Sequence, residues 1–328
     1  REPCRFGGGH AGSESLMTPS PADIPVIGGG PAGLMAAETL AAAGASVQLF
    51  DAMPSVGRKF LLAGRGGLNL THSEAAEPFA SRFGERREQV EPWLAALGPQ
   101  QLRDWADGLG VDTFVGTSGR VFPKDMKAAP LLRAWLHRLR AAGVQFHMRH
   151  RWLGALEAEA GSPNSSWTLR FATPAGEAQV RARAVVLALG GGSWARLGSD
   201  GAWVPWLMER GIDVAPLLPA NCGFDVGWSD YFSQRFAGQP FKSVAIEFRD
   251  SRGRSFARKK GEFIATAGGV EGSLVYAASG LLRDEISANA SATLMLDLLP
   301  DRSDEQVRAE VLHPRRSRSV ASHLKGRL

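Results

Sequence analysis

The chain has 328 residues, of which 44% are hydrophobic and 22% are charged, a composition typical of a globular protein with room for about two domains. Its formal net charge of +5 comes from interspersed acids and bases, which favours anionic cofactors or substrates and does not by itself indicate nucleic acid. Cys4 and Cys222 are too far apart for a C-x-x-C motif or a disulfide framework, and no apolar run reaches the ~18 residues of a membrane span, so we expect a cytoplasmic protein without membrane contact.

The N-terminal segment, residues 1–22, is rich in glycine, serine and proline. It lacks the apolar core of a secretory signal. We expect a disordered extension that lies upstream of the fold, with Met17 as an alternative natural start.

The segment from Ile24 to Glu38 predicts a buried strand, a tight glycine turn and the start of an alanine-rich helix. Gly28, Gly30 and Gly33 have the spacing G-x-G-x-x-G of the dinucleotide-binding fingerprint. The first glycine permits the turn, the second lets backbone approach a pyrophosphate, and the third lets helix and strand pack closely. The backbone N–H groups and the dipole of the helix can then hold a diphosphate without a charged side chain.

The residues that follow support this interpretation over a purely structural glycine turn. Residues 34–43 continue as a helix, Gly44 can end it, and residues 46–50 predict a second strand. Asp51 comes directly after that strand. It lies about 20 positions beyond the first glycine, where an acid that binds ribose hydroxyls is expected.

Residues 57–72 are rich in glycine and cations and have a weak helix and strand pattern. We predict a loop that brings backbone N–H groups and Arg58 or Lys59 to an anion. A flexible surface loop is the alternative.

The middle of the chain predicts alternating helices and strands. We expect helices at 85–110, broken at Gly98-Pro99, and an amphipathic helix at 131–142. Short strands are expected at 111–115 and 144–153. Residues 119–124 predict a turn that carries two cations.

A hairpin is predicted over residues 167–183, followed by a continuous apolar strand at 184–189. Gly190 and Gly191 follow that strand. Because open α/β sheets bind ligands beyond their strand ends, we expect these glycines to lie beside a cofactor. A loop at 193–201 and a short helix should follow.

From residue 212 the pattern changes to prolines and short strands, which we predict at 243–248, 255–257 and 263–266. The region should be β-rich to about residue 280. Helical, basic segments are predicted at 303–312 and 316–325.

Five motifs together resemble the BaiN-like, or aminoacetone-oxidase-like, bacterial flavoproteins of the two-dinucleotide-binding-domain group. They are residues 26–34, Gly57-Arg58-Lys59 with Gly66-Gly67-Leu68-Asn69, residues 119–123, residues 188–191 with 198–201, and residues 261–266. They follow the family's order over most of residues 24–280.

The resemblance implies an α/β fold with a Rossmann-like FAD-binding domain at 23–211, a β-rich inserted domain at 212–296 and the start of a helical domain at 297–328. It implies FAD rather than NAD at the glycine turn. The cofactor-binding residues it implies are Gly28, Gly30, Pro31, Ala32 and Gly33 at the diphosphate, Asp51 at the ribose, Arg58 and Lys59 beside both, Gly66, Gly67 and Asn69 toward the flavin, and Gly190 and Gly191.

Three features depart from the family pattern. Pro25 cannot donate to a central ladder, so either the strand begins at Val26 or one bond is missing. Leu68 stands where many relatives have cysteine. The family's final glycine-rich FAD segment does not follow before Leu328, so we interpret the sequence as C-terminally truncated.

These observations favour an FAD-dependent oxidoreductase that acts on a small molecule, with the flavin carrying the hydride transfer. Whether NAD(P)H is the electron donor or a metabolite is oxidised by oxygen stays open, as do the substrate and the oligomeric state. The sequence identifies no catalytic acid or base. Candidates that could face the site are Asn69, His72, Arg120 and Lys124, each of which also fits a cofactor or surface contact.

Two alternatives remain. Basic clusters at 249–260 and 313–327 fit a nucleotide-fold module that binds RNA, although no RNA-binding motif accompanies them. The chain also fits an inactive partial product. No metal site is predicted, because His137, His147 and His150 lack a ligand spacing.

Overall fold

The computed structural model describes residues 23–63, 66–158 and 166–328, so the predicted extension at 1–22 lies outside the described residues. The chain divides into two compact units, of which the first ends at Leu217 and the second runs from Leu218 to Leu328. Within the described ranges, no helix is both long enough and apolar enough to cross a membrane.

The first unit combines parallel and antiparallel sheets with short helices. Its strands are β1 (Asp23–Ile27), β2 (Ser46–Asp51), β3 (Thr71–His72), β4 (Thr113–Val115), β5 (Arg120–Pro123), β6 (Gln145–Met148), β7 (Arg151–Ala158), β8 (Trp167–Thr173), β9 (Gly176–Ala182) and β10 (Val186–Leu187). Its α-helices are α1 (Pro31–Ala42), α2 (Arg58–Ala63), α3 (Ala76–Ser81), α4 (Arg87–Ala96), α5 (Pro99–Asp107), α6 (Ala128–Ala141) and α7 (Trp203–Met208).

A parallel sheet with the spatial order β10-β1-β2-β6 forms the centre of this unit. The chain passes from β1 through α1 to β2 and then to β6 in one direction, and it later returns to the other side of β1 as β10. This is the strand order of a Rossmann fold, and it confirms the predicted α/β class. The reversal between β1 and β10 is a topological switch point, where such sheets bind ligands at their carboxyl ends.

The parallel sheet is covered on both faces because successive side chains of a strand point to opposite sides. Val26 packs with Leu34 of α1 and with side chains of α6. Ile27 and Phe50 pack instead with Phe171 of the antiparallel sheet β7-β8-β9. The predicted hairpin at 167–183 is confirmed as β8 and β9 and therefore forms one wall of the core.

Pro25 lies within β1, so the strand does not begin at Val26. The carbonyl of Ile27 accepts a hydrogen bond from the N–H of Ala188 at 2.8 Å, on the β10 side. Backbone groups of alternate residues point to the same side of a strand, so the nitrogen of Pro25 also faces β10. Pairing with β10 starts only where Val26 meets Val186, so the proline removes no ladder bond.

The prediction of a loop throughout residues 57–72 was wrong, because they contain α2 and β3. Before α2, Gly57 donates its N–H to the carbonyl of Gly29 at 2.8 Å. Phe60 then packs edge-on against Trp135, with ring centroids 6.5 Å apart. The loop prediction overlooked that residues 58–63 are mostly strong helix formers, and packing against the core stabilises them as α2.

Three further predictions differ from the structure. The predicted turn at 119–124 forms β5, which pairs with both β3 and β4. The predicted single strand at 144–153 is two strands, β6 and β7, separated at Arg149 with a φ of 58°, because the chain passes there from the parallel to the antiparallel sheet. The predicted strand at 184–189 pairs only at Val186 and Leu187, at the edge of the sheet.

The predicted helices of the middle region are confirmed. Residues 85–110 form α4 and α5 with a break before Pro99, and the amphipathic helix at 131–142 is α6. Trp93, which we expected to be an apolar anchor of α4, is 68% exposed. A short helix with few buried contacts cannot cover every apolar side chain that its pattern suggests.

The second unit has an antiparallel sheet with the order β11-β14-β13-β12-β15. Its strands are β11 (Phe224–Asp225), β12 (Pro240–Arg249), β13 (Ser255–Ala265), β14 (Gly269–Glu271) and β15 (Met295–Asp297), and its helices are α8 (Asp230–Phe236), α9 (Ser273–Asn289), α10 (Asp304–Leu312) and α11 (Val320–Lys325). The sequence did not predict α9, which buries Leu274, Val275 and Leu282 against Val244 and Phe263 of the sheet.

Candidate functional site

The glycine turn after β1 brings three parts of the first unit close together. Gly28 has a φ of 109°, and a Cβ added there would lie 2.2 Å from the carbonyl oxygen of Ala188, just beyond β10. Its N–H donates to the carbonyl of Phe50 in β2 at 2.8 Å. Only glycine fits this position, because the backbone is left-handed and the space for a side chain is filled.

Gly33 and Gly30 have opposite surroundings on α1. A Cβ at Gly33 would lie 1.8 Å from the carbonyl oxygen of Gly28, so this glycine lets the helix pack on the turn. A Cβ at Gly30 would meet no described heavy atom within 4 Å. Gly30 is the N-cap of α1, Pro31 follows it, and no described side chain caps this helix end. The first N–H groups of α1 are therefore available to a ligand.

A cavity of about 820 Å³ opens at this helix start and at the carboxyl ends of the parallel strands. Of the residues predicted from the sequence, those that line it are Gly28, Gly30, Pro31, Ala32, Asp51, Arg58, Lys59, Asn69, Gly190 and Gly191. Gly33, Gly66 and Gly67 do not line it. Gly67 has a φ of 108° and packs beside the Met126 side chain instead. A Cβ added at Gly67 would lie 2.5 Å from the terminal methyl carbon of Met126.

Asp51 ties the end of β2 to the glycine turn. One carboxylate oxygen accepts a hydrogen bond from the N–H of Gly29 at 2.6 Å, and the other accepts one from the N–H of Met53 at 2.7 Å. Burial raises the pKa of Asp51, while these two hydrogen bonds and the charges of Arg58 and Arg151 act in the opposite direction. A carboxylate has about four lone-pair sites, so it can still accept hydroxyl groups of a ribose.

The two cations of α2 differ in their partners. The Lys59 ammonium donates to the Ser193 hydroxyl at 2.6 Å, which links α2 to the loop after β10. The Arg58 guanidinium lies 3.5 Å from the Ser55 hydroxyl through one terminal nitrogen. Its buried Nε has no hydrogen-bond partner in the described part of the chain. A buried guanidinium donor without a partner fits an anionic group in the adjoining cavity.

The loop after β10 is held by hydrogen bonds to the backbone of the two glycines. The indole N–H of Trp203 donates to the carbonyl of Gly190 at 3.1 Å, and the N–H of Gly201 donates to the carbonyl of Gly191 at 3.1 Å. Gly190 has a φ of 74°. These contacts position the glycines at the cavity with little freedom to move.

Sequence reasoning missed several residues of the cavity wall. His150 and Arg151 lie there because the chain leaves the parallel sheet after β6, next to the carboxyl end of β2. Arg151 pairs with Asp200 at 3.3 Å. Treating residues 144–153 as one strand concealed these positions, whereas a break after β6 would have been the signal. Five tryptophans also line the cavity: Trp105, Trp135, Trp152, Trp203 and Trp206.

His147 lies next to His150 of this wall and does not itself line the cavity. The His147 ring stacks on Phe50 with centroids 4.6 Å apart, and the His150 ring meets it edge-on at 5.6 Å. Burial, together with the charge of His150, lowers the pKa of His147. His147 is therefore expected to be neutral and to act as an aromatic packing group at neutral pH.

Of the four candidates for a chemical role, only Asn69 lines the cavity. His72 accepts the N–H of Glu74 at Nδ1 (3.2 Å), and its Nε2 lies 3.1 Å from the carbonyl oxygen of Ser118. Lys124 pairs with Asp112 at 2.7 Å. The structure thus assigns these two side chains to local structural contacts.

The described residues also contain no group of three or more histidine, cysteine, aspartate or glutamate side chains that could hold a metal ion. The polar features of the cavity are a helix start, the carboxylates of Asp51 and Asp200, three cations (Arg58, Lys59 and Arg151), His150 and several indoles. This set suits an anionic, ribose-containing ligand.

Comparison with known proteins agrees with the fold. Residues 22–279 match the family described as "HI0933-like protein Rossmann domain". The chain belongs to this family. No curated protein matches this HI0933-like chain.

Several solved structures are similar to part of the chain. One is the 3-ketosteroid-Δ4-(5α)-dehydrogenase from Rhodococcus jostii RHA1 in complex with 4-androstene-3,17-dione, at 17% identity and a TM-score of 0.41, covering 53% of this chain and 47% of that one. THI4 from Thermovibrio ammonificans has 18% identity and a TM-score of 0.38, covering 58% and 64%. CabE, an aromatic hydroxylase from angucycline biosynthesis, has 18% identity and a TM-score of 0.33, covering 70% and 37%. This chain spans less than two thirds of each, and likenesses this low add nothing to the functional argument.

Proposed function

We propose that the chain is an FAD-dependent oxidoreductase of the BaiN-like, or aminoacetone-oxidase-like, type that acts on a small molecule in the cytoplasm. The observation that carries this proposal is the open start of α1, which shares one cavity with Asp51 at the switch point of the parallel sheet. Rossmann sheets bind dinucleotides at this position.

The residues present fit FAD. The cavity of about 820 Å³ lies within the roughly 300–1,000 Å³ of typical ligand sites. The N–H groups of α1 and the unpartnered Nε of Arg58 suit a diphosphate, and the Asp51 carboxylate suits a ribose. The apolar side of the cavity, which includes the buried Leu68, suits a flat aromatic ring system.

Each of these groups would have a distinct task in the reaction. When bound, FAD supplies hydride acceptance at its isoalloxazine ring. The α1 start and Arg58 bind and orient the cofactor, and Asp51 fixes both the ribose and the glycine turn. Leu68 and the indoles around the cavity exclude water from the reacting end. Asn69, which is exposed at the same wall, can donate or accept one hydrogen bond there.

The electron donor is a separate part of the proposal. Both NAD(P)H and a metabolite that reduces the flavin, followed by reoxidation with oxygen, agree with the cavity. Mixing the FAD-loaded protein with NADH or NADPH without oxygen distinguishes them. Loss of the oxidised flavin absorbance would identify a nicotinamide donor, and an unchanged spectrum would favour a metabolite.

The alternative of a nucleic-acid-binding module receives little support from the basic cluster at 249–260. Arg254 pairs with Asp250 at 2.6 Å, and Arg258 pairs with Asp297 at 2.6 Å. Lys260 pairs in the same way with Asp301. Three of the six cations of this cluster are thus paired with carboxylates, and a paired cation releases fewer counterions on binding a phosphate backbone.

A pair of glycine substitutions tests the proposed FAD site. Gly30→Leu should retain the fold, because Gly30 has an ordinary φ of −78° and free space around its Cα. The new side chain would fill the approach to the helix start, so we expect at least about 100-fold weaker FAD binding, or about 2.7 kcal/mol. Gly227→Leu is the control, because Gly227 is exposed and also has no described neighbour within 4 Å of an added Cβ.

FAD binding is measured by flavin fluorescence and by absorbance after gel filtration, and folding is measured by circular dichroism. Flavin retained equally by both variants would remove Gly30 from the site. A wild-type chain that takes up no FAD would overturn the proposed function.

A further inference from the structure

Ser199 is held rigidly in the loop that follows β10. Its N–H donates to the carbonyl of Trp194 at 3.1 Å, and the N–H of Trp194 donates to its carbonyl at 3.0 Å. The residue is only 7% exposed. The paired backbone bonds fix the position of the Ser199 backbone in this loop.

The hydroxyl of Ser199 is the unexplained feature. Its Oγ is buried and has no hydrogen-bond partner among the described residues, although the side chain borders the cavity. A buried hydroxyl without a partner lowers stability, and native proteins rarely retain one. The Arg58 Nε, in the wall of the same cavity, is unpartnered as well. Two unsatisfied donors around one cavity indicate a ligand with oxygen acceptors.

Gly190 lies next to the buried Ser199 hydroxyl at the edge of the cavity. A Cβ added to Gly190 would lie 3.5 Å from Ser199 Oγ, in van der Waals contact with it. Both residues line the cavity. Because position 190 carries no side chain, no Cβ fills the space beside the hydroxyl at this edge of the cavity.

The neighbours of Ser199 show which end of the cavity it faces. A Cβ at Gly198 would lie 3.0 Å from Cγ of Met53, the residue whose N–H binds the Asp51 carboxylate. On the other side, Asp200 pairs with Arg151. The two neighbours of Ser199 thus contact Met53 and Arg151, and both of these residues interact with Asp51, at the end of the cavity suited to a ribose.

We infer that Ser199 is a cofactor-binding residue whose hydroxyl donates a hydrogen bond to a phosphate or ribose oxygen in the ADP half of the bound dinucleotide. The inference rests on the proposed function, because it takes FAD as the ligand. It assigns the contact to the half of the cofactor that FAD shares with free ADP, and free ADP therefore serves as a probe that carries no flavin.

The test compares two buried serines. The Ser279 hydroxyl has hydrogen-bond partners, and the Ser199 hydroxyl has none among the described residues. Ser279 is 0% exposed, and its hydroxyl donates to the Ala220 carbonyl at 2.5 Å and lies 2.8 Å from the Tyr276 carbonyl oxygen. Ser199→Ala and Ser279→Ala are measured for ADP and FAD affinity by titration calorimetry and for thermal unfolding without ligand.

The two variants should behave in opposite ways. Ser199→Ala should bind both ADP and FAD about tenfold more weakly, or about 1.4 kcal/mol, with an unfolding temperature equal to or above that of wild type. Ser279→Ala should unfold at a lower temperature and bind both ligands as wild type does, because its hydroxyl is satisfied within the protein.

Each other result has a defined meaning. Wild-type ADP affinity in Ser199→Ala would overturn the inference, and FAD binding by the wild-type chain would then leave the proposed function standing. Weaker FAD binding with unchanged ADP binding would overturn the assignment to the ADP half. Failure of the wild-type chain to bind either ligand would overturn both proposals.

Discussion

Helices α1 and α5 begin with the same dipeptide and have different surroundings. Each has glycine as its N-cap and proline as its first residue, at Gly30-Pro31 and at Gly98-Pro99, and neither is capped by a described side chain. A Cβ at Gly98 would lie 2.6 Å from the carbonyl oxygen of Leu94, whereas one at Gly30 would meet no described atom within 4 Å. The same local sequence thus serves close packing at the start of α5 and an open helix start beside the cavity in α1.

Helix α10 shows a third way to begin a helix. The Ser303 hydroxyl accepts the N–H of Gln306 at 3.2 Å, and the Gln306 side chain accepts the N–H of Ser303 at 2.9 Å. This capping box satisfies donors within the helix itself. Because α1 lacks such a cap and opens on a cavity, its donors are left for a ligand.

Replacing Gly33 should have the largest effect on the fold. In Gly33→Ala the new Cβ would lie 1.8 Å from the carbonyl oxygen of Gly28, so the helix must move off the turn. We expect a loss of about 3 kcal/mol or more in the free energy of unfolding, measured by denaturant titration. Gly280→Ala is the matched control, because Gly280 lies within α9 without a described neighbour within 4 Å of an added Cβ. Equal stability of the two variants would contradict the packing role of Gly33.

Alanine substitution of the two N-cap glycines should have different effects on the free energy of unfolding. Gly98→Ala should lower the free energy of unfolding by about 1–3 kcal/mol, because the Cβ meets the backbone of Leu94. Gly30→Ala should change it by no more than about 0.5 kcal/mol. Thermal and denaturant unfolding provide the measurement. A Gly30→Ala variant that is as unstable as Gly98→Ala would show that the start of α1 is crowded and not open.

Removing the serine cap of α10 should have a smaller effect. Ser303→Ala leaves the N–H of Gln306 without its acceptor, and we expect a loss of about 1 kcal/mol in the stability of the second unit. Ser317→Ala, at an exposed position outside a helix cap, should be neutral within about 0.5 kcal/mol. Hydrogen exchange of the first turn of α10 should rise only in the Ser303 variant, and an unchanged rate would argue against the cap.

The smallest expected effect is a pH dependence of the folding stability that comes from Asp51 at the glycine turn. The raised pKa of Asp51 means that the folded chain holds this proton more tightly than the unfolded chain, whose ordinary value is 3.8. The contribution of Asp51 to stability is therefore fully present below pH 3.8 and is lost as the pH rises through the folded-state pKa. The stability advantage of wild type over Asp51→Asn should shrink over that window and then stay constant. An advantage that grows with pH would show that the hydrogen bonds from Gly29 and Met53 outweigh burial.

The sequence predicted those parts of the fold whose signals are contiguous. The glycine turn, α1 and β2 follow one another within 30 residues, so their spacing alone located the end of the sheet and Asp51. α9 was missed because Val275 and Gly280 weaken its helix signal, while packing against the second sheet stabilises it. A local sequence pattern does not indicate contacts between residues that are far apart in the chain.

The cavity wall was predictable only in part for the same reason. Its glycines and cations lie in short motifs, whereas His150 and Ser199 come from segments that the sheet topology brings together across long sequence separations. Ser199 lies in the 198–201 motif that resembles the flavoprotein family, but the motif alone assigned this side chain no role. Its significance depends on burial and on the absence of a described hydrogen-bond partner, which only the folded chain reveals.

The fluorescence of the cavity tryptophans can report ligand binding. Five of its nine tryptophans line the cavity, whereas Trp93, Trp167, Trp194 and Trp228 lie elsewhere. A bound chromophore that absorbs where indole emits would accept excitation energy from several of these rings at once. The intensity of the intrinsic tryptophan fluorescence should therefore decrease strongly when a flavin binds in the cavity, and much less when ADP alone binds.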